Sequence, residues 1–181
     1  MTRTIEIIDY DPAWPDTFAG LSSALAAALG PLALRIEHVG STSVPGLGAK
    51  PIIDIDVIIE SPRLLPLVVE GLGTLGYSHE GDGGIPDREA FGRAGAMVPA
   101  DGSGRVWPAH HLYVCPSGSE ELQRHLRFRD YLRSHPDSAA RYEALKRDLA
   151  HRHANDIDAY VAGKSAFVER ILAVDGGEAR G

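Results

Sequence analysis

A chain of 181 residues, 44% hydrophobic and 24% charged, has an ordinary globular composition and is long enough for one domain around one sizeable core. Its formal charge of −7 argues against non-specific binding to a nucleic-acid backbone, which needs a basic surface, but is compatible with a nucleotide held by a metal and a few cations. Cys115 is the one cysteine, which excludes an intrachain disulfide and a cysteine zinc site and fits a reducing cytoplasm.

The first fourteen residues carry acids and no long apolar run, so no signal peptide is expected there. No stretch approaches the roughly 18–20 apolar residues of a membrane span. "TIEIIDY" (4–10) predicts a short first strand. A helix is expected over 11–30, with Asp11 as N-cap, Pro12 at the first helical position and Gly30 at the end. Leu21, Leu25 and Leu29 give it one apolar stripe. "LRIEHV" (34–39) alternates as a strand and leads into a loop at Gly40. Residues 52–59 predict an apolar strand, and Ser61 with Pro62 then starts a helix. The glycine-rich segment from His79 reads as loop with a strand near Glu89–Arg93. "VPADGSGRV" carries turn chemistry before a strand in "VWPAHHLYVC", which together suggest a hairpin. Three helices follow from Ser119, the last interrupted near Gly163. Residues 175–181 read as a frayed tail. Strands early and helices late predict a single α/β or α+β domain over 1–181.

The strand at 52–59 poses a physical problem. Residues two apart share a face, so Ile53, Ile55, Val57 and Ile59 form one apolar face. Asp54 and Asp56 share the other with Ile52 and Ile58. Two neighbouring carboxylates repel each other, and each is costly to bury without compensation. Either the strand is an edge that meets water, or a Lys, an Arg or a divalent cation sits nearby. Oxygen donors suit Mg²⁺ or Mn²⁺. The preceding loop offers phosphate chemistry: Gly40 lets backbone approach a ligand, and Ser41 supplies a hydroxyl and an N–H. Gly46 and Gly48 lack the third glycine of a dinucleotide fingerprint. Pro51 holds Lys50 extended, so Lys50 cannot open a helix as a P-loop lysine does.

A Gly-Ser pair followed, twelve residues on, by Asp-x-Asp in an apolar strand resembles the signature of the nucleotidyltransferase fold, the DNA polymerase β-like superfamily. The longer "IEHVGSTSVPGLGAKPIIDIDV" resembles the GrpB family within it, as do "HHLYV", "LRFRDYLRSHPDSAARYEALKRDLA" and "AYVAGKSAFVERIL". The resemblance implies a mixed sheet flanked by helices with a helical C-terminal half. In some bacteria this domain is fused to dephospho-coenzyme A kinase. The implied chemistry is metal-dependent transfer of a nucleotidyl group from a nucleoside triphosphate to a small-molecule acceptor, with Mg²⁺ or Mn²⁺ held by Asp54 and Asp56. Gly40, Ser41 and Thr42 would hold the triphosphate. The superfamily's third carboxylate is missing from "VWPAHHLYVC". His111 stands in its place, as metal ligand or general base, with Glu89 or Asp87 as alternatives. His111 and Tyr113 share a face and His110 takes the other.

Lys50, Arg93, Lys146, Tyr160 and Lys164 complete the candidate nucleotide-binding set, with Arg88 a second arginine able to clamp phosphate. His38 is expected to hydrogen-bond the Gly40 loop, and Trp14 and Trp107 to lie in the core. His151 and His153, two apart on a helix, diverge and read as a solvated face. Two other functions fit the same residues: a non-catalytic nucleotide- or metal-binding module, and an enzyme using His111 and the aspartates as acid–base groups.

Overall fold

In the computed structural model, which describes residues 4–178, five strands pair into one mixed sheet. They are β1 (Arg35–Val39), β2 (Ile53–Ile59), β3 (Tyr77–Gly81), β4 (Glu89–Arg93) and β5 (His110–Pro116), in the order β1-β2-β5-β4-β3. The helices are α1 (Trp14–Leu29), α2 (Leu65–Thr74), α3 (Glu120–Ser134), α4 (Pro136–Arg152) and α5 (Ile157–Glu178). This is the α+β class that the order of elements implies. The chain divides into two compact units, each built from non-contiguous segments. One takes Ala13–Val39 and Ile52–Gln123, and so holds the whole sheet. The other takes the segment up to Pro12, Gly40–Pro51 and the chain from Arg124 onward.

In the sheet-bearing unit, β2 runs antiparallel to β1 and parallel to β5, and β4 is antiparallel to both β5 and β3. Helices α1 and α2 belong to this unit and supply buried Leu21, Leu25, Leu29, Val68 and Leu72 to its core, beside Ile53, Ile55 and Val57 of β2. α1 begins later than its sequence suggests. Ala13, not Asp11, is the N-cap, because the helix starts where Trp14 can bury and Pro15 falls in the first turn. Gly30 ends it at φ 50°, a conformation that glycine adopts without strain. Ser61 caps the turn before α2, accepting from the Arg63 N–H at 3.3 Å.

β3 escapes the sequence reading because its middle residues, Ser78, His79 and Glu80, are polar and exposed on an edge strand, with no apolar alternation. β5 begins at His110 rather than Val106, after Pro108, which has no N–H to give a ladder. β4 and β5 are the antiparallel pair foreshadowed by the turn chemistry between them.

In the other unit, "TIEIIDY" forms no strand. It makes an isolated antiparallel bridge between Ile8 and Ala49, and Ile5 packs with Leu149, Ala150 and Tyr160. α5 runs unbroken through Gly163, where a Cβ would collide with Leu149 of α4; the glycine marks close helix packing, not a break. A second cluster joins Val44, Leu47, Leu132 and Tyr142. α5 continues to Glu178, so the first residues of the expected tail are helical, and 179–181 lie outside the described residues.

One buried polar cluster fixes the start of β5. His110 Nε2 lies 2.6 Å from the Tyr77 hydroxyl, and its Nδ1 lies 2.9 Å from the Pro108 carbonyl. Burial pulls His110 down to about 4, so it is neutral and accepts from Tyr77. The unfolded chain takes up this proton first, so stability should fall as pH drops from about 6.5 towards 4. Tyr77→Phe strands Nε2 and should cost about 1–3 kcal/mol in urea unfolding at pH 7.

Candidate active site

The aspartates are not at an edge. β2 is flanked on both sides, and its register brings specific partners to them. Asp54 stands across from Val39 of β1 and His111 of β5; Asp56 stands across from Glu37 and Tyr113. Directly opposed residues share a face. One face of the sheet therefore carries Glu37, Asp54, Asp56, His111 and Tyr113. Asp56 is fully buried, at 0% exposure, whereas the Asp54 side chain is 30% exposed. His111 Nδ1 lies 2.8 Å from Asp54 Oδ1, which holds the ring proton on Nδ1 and leaves Nε2 as the acceptor.

The acidic face shifts its neighbours. Burial, then the charge of Asp54, raises the Tyr113 phenol; burial, then Asp56, raises the Cys115 thiol to about 12. The Arg88 guanidinium lies 4.5 Å over the Tyr113 ring. Sequence reasoning missed Glu37, a further carboxylate of this face that stands directly across from Asp56. It comes from β1, not from β5 where the third acid was sought. The alternation of "LRIEHV" holds the signal, but only the β1–β2 register makes it readable.

Three other candidates turn away. Glu89 lies opposite Val114, on the other face, and pairs with His79 at 2.6 Å. Arg93 lies opposite Tyr77 on that same other face, where its Nη1 donates to the Pro108 carbonyl at 2.9 Å. Backbone anchoring occupies Arg93, which takes it out of the phosphate set. Asp87 is exposed, with φ 57°. His38 stacks on Phe18 at 4.7 Å, and Trp14 and Trp107 are core, as expected.

Among the described residues, no group of three His, Cys, Asp or Glu side chains is arranged to hold a metal ion. The donor chemistry nevertheless fits a hard divalent cation at Asp54 and Asp56. Two carboxylates, one of them fully buried, make an oxygen donor pair whose charge such a cation balances.

The remaining candidates belong to the other unit. Gly40 has φ 69°, which favours glycine, and opens a 3-10 turn over Ser41–Ser43. Ser41 is half-buried and within a ligand's reach, whereas Thr42 is buried. The loop is clamped by helices. Arg133 donates twice to the Ser43 carbonyl, at 3.0 and 2.8 Å. Gly48 is held at both ends of its backbone: its N–H donates to Glu143 at 2.7 Å, and its carbonyl accepts from Lys146 Nζ at 2.5 Å. Lys50 and Lys164 place their ammonium groups 5.3 and 4.6 Å from the centre of the Tyr160 ring. Burial raises Tyr160 to about 12. Burial, then the charge of Lys164, lowers Lys146 to about 7 against the pull of Glu143. Burial would raise the Glu143 carboxyl, but the Gly48 N–H and Arg147 hold it below its ordinary value. Lys146 Nζ lies 4.9 Å from the centre of the Tyr142 ring, so Lys50, Lys146 and Lys164 form a cluster around two tyrosines, Tyr142 and Tyr160.

A family model described as "GrpB protein" matches residues 4–174. The chain is 43% identical over 171 residues to a UPF0157 protein of Pseudomonas aeruginosa and 35% identical over 167 residues to one of Bacillus subtilis. These alignments take in 93% and 92% of the chain but only 66% and 46% of those proteins. The crystal structure of the conserved protein GrpB from Enterococcus faecalis is similar with a TM-score of 0.81 at 34% identity, over 97% of this chain and 100% of that one. The Cid1 poly(U) polymerase bound to MgATP aligns with a TM-score of 0.51 at 11% identity, over 77% of this chain and 42% of that one, a likeness of fold.

The lysine cluster carries a pH signature. Lys146 loses its proton near 7 when folded and near its ordinary 10.5 when unfolded. Between those values the unfolded state binds the extra proton, so stability should rise with pH from about 7 to 10. Lys146→Met should flatten that rise in urea titrations, while wild type retains it.

Proposed function

Because the chain belongs to the GrpB family and has a nucleotidyltransferase-like fold, we propose that it transfers a nucleotidyl group from a nucleoside triphosphate to a small-molecule acceptor, with Mg²⁺ or Mn²⁺ as cofactor. The observation that carries this reading is the Asp54–Asp56 pair on an internal strand, with His111 hydrogen-bonded to Asp54 at 2.8 Å. A single cysteine, Cys115, is consistent with work in the cytoplasm.

In this reading Asp54 and Asp56 hold the divalent ion, which supplies charge compensation for the phosphates and Lewis acidity. His111 acts as general base. Asp54 fixes the Nδ1 proton, so Nε2 accepts the proton of the acceptor's nucleophilic hydroxyl. The acceptor oxygen bonds to the α-phosphorus, the bond to the bridging oxygen of the β-phosphate breaks, and pyrophosphate leaves. Gly40 and Ser41 offer backbone and hydroxyl donors to phosphate oxygens, with Thr42 supporting the turn from its buried position. Lys50, Lys146 and Lys164 add positive charge, and the Tyr160 face orients the two half-buried lysines, Lys50 and Lys164.

A second reading draws on the His111–Asp54 pair alone: acid–base chemistry on a small molecule without a metal. Pyrophosphate release across a panel of nucleotides and metabolites separates the two. Metal-dependent release abolished by EDTA supports transfer; turnover of a metabolite that survives EDTA supports the second reading. Asp54→Asn should abolish Mn²⁺ binding in calorimetry with little change in the unfolding midpoint. Unchanged Mn²⁺ affinity would sink the proposal.

A further inference from the structure

We propose that Arg88, stacked on Tyr113, is the recognition site for an oxyanion, a carboxylate or a phosphate, carried by the acceptor. The inference deepens the transferase reading and rests on it for the word "acceptor"; the anion site itself stands on its own geometry.

Arg88 closes the glycine-rich turn between β3 and β4. Gly81, Gly83 and Gly84 there have φ of 84°, 60° and 82°, and Asp82 Oδ1 accepts the Gly84 N–H at 2.8 Å, so the turn has a defined path. That path carries the guanidinium to 4.5 Å over the Tyr113 ring, on the face of Asp54 and Asp56. Its Nε is buried and has no hydrogen-bond partner among the described residues. Nor does any Asp or Glu among the described residues form an ion pair with it. Arg35, at the opposite side of the same face, is paired with Glu37 at 3.4 Å. Arg93, the other arginine of this region, is tied to backbone. Arg88 is held by a ring in place of hydrogen bonds. A guanidinium held that way keeps its donors for a ligand, and its planar fork matches a carboxylate or phosphate.

Position narrows the ligand. Tyr113 follows His111 by two residues on β5, and their ring centres are 6.3 Å apart. An acceptor whose hydroxyl meets His111 while its anionic group meets Arg88 spans on the order of 6–8 Å, the repeat of a strand. That length fits a small hydroxy acid or a phosphate monoester. At Gly83 a Cβ would come to 3.9 Å of Arg88 Nη2, so the turn leaves room beside the fork.

The test uses the full ¹⁵N-labelled chain. Its Arg88 Nε–Hε resonance, assigned by its disappearance in Arg88→Lys, is followed while inorganic phosphate and, separately, succinate are added against chloride at equal ionic strength. A saturable shift with phosphate or succinate is expected, and which of the two produces it separates a phosphate-bearing from a carboxylate-bearing acceptor. In Arg88→Lys the affinity for that anion, read on the Tyr113 ring resonances, should drop about tenfold, because the charge survives and the fork does not. MgATP affinity should change less than about twofold in the same variant, a small effect next to a lost charge-assisted bond. No saturable shift with either anion overturns the proposal. So does a MgATP affinity that falls in step with the anion's, which would make Arg88 a nucleotide contact. Failure of wild type to bind MgATP, with the anion shift intact, would instead overturn the transferase reading and leave the anion site standing.

Discussion

Parallel pairing of β2 with β5 brings together residues that are 57 positions apart, setting Asp54 against His111 and Asp56 against Tyr113. Parallel neighbours cannot be joined by a tight turn, so the chain must leave β2 and return in the same direction. Here it returns only after α2, β3 and β4. Those elements are not mere connection. β4 pairs beside β5, β3 closes the edge, and the turn between them delivers Arg88 to the acidic face. The β2–β5 pairing sets Asp54, Asp56, His111 and Tyr113 together, and the β1–β2 register adds Glu37. The buried ring of Tyr77 secures it from the other side through His110.

Both units keep charge where apolar packing would be more stable. Asp56 is completely buried beside Glu37 and Asp54, and Lys146 is only 2% exposed beside Lys50 and Lys164. Burying one such group costs several kcal/mol unless it is compensated, and like charges add to the cost. The acids cluster in the sheet-bearing unit and the lysines in the other. The fold holds the Gly40 loop with similar investment. Arg133 on Ser43, and Glu143 and Lys146 on Gly48, fix backbone that offers little packing of its own.

Local signals in the sequence were enough for α1 to within a few residues, for β1, β2, β4 and β5, and for the division of β2 into an apolar and an acidic face. Each depends on a period of two or 3.6, or on a Pro, Ser or Gly at an end, and each is a property of neighbouring residues. The split of His110 from His111 follows from the same period. Gly163 was misread because its cause, the side chain of Leu149, lies on another helix.

What the sequence by itself determined is therefore the chemistry available: two aspartates and a histidine on strands, a glycine-serine loop, and lysines and a tyrosine on late helices. The tertiary structure decided which of these meet. It chose Glu37 over Glu89 as a further acid of the face, Arg88 over Arg93 as its arginine, and made β3 a strand although its polar residues give no sign of one. The reason is cross-strand register. A shift of one residue sends a side chain to the opposite face, and the register of one strand against a distant partner is fixed by the whole sheet and not by either segment alone.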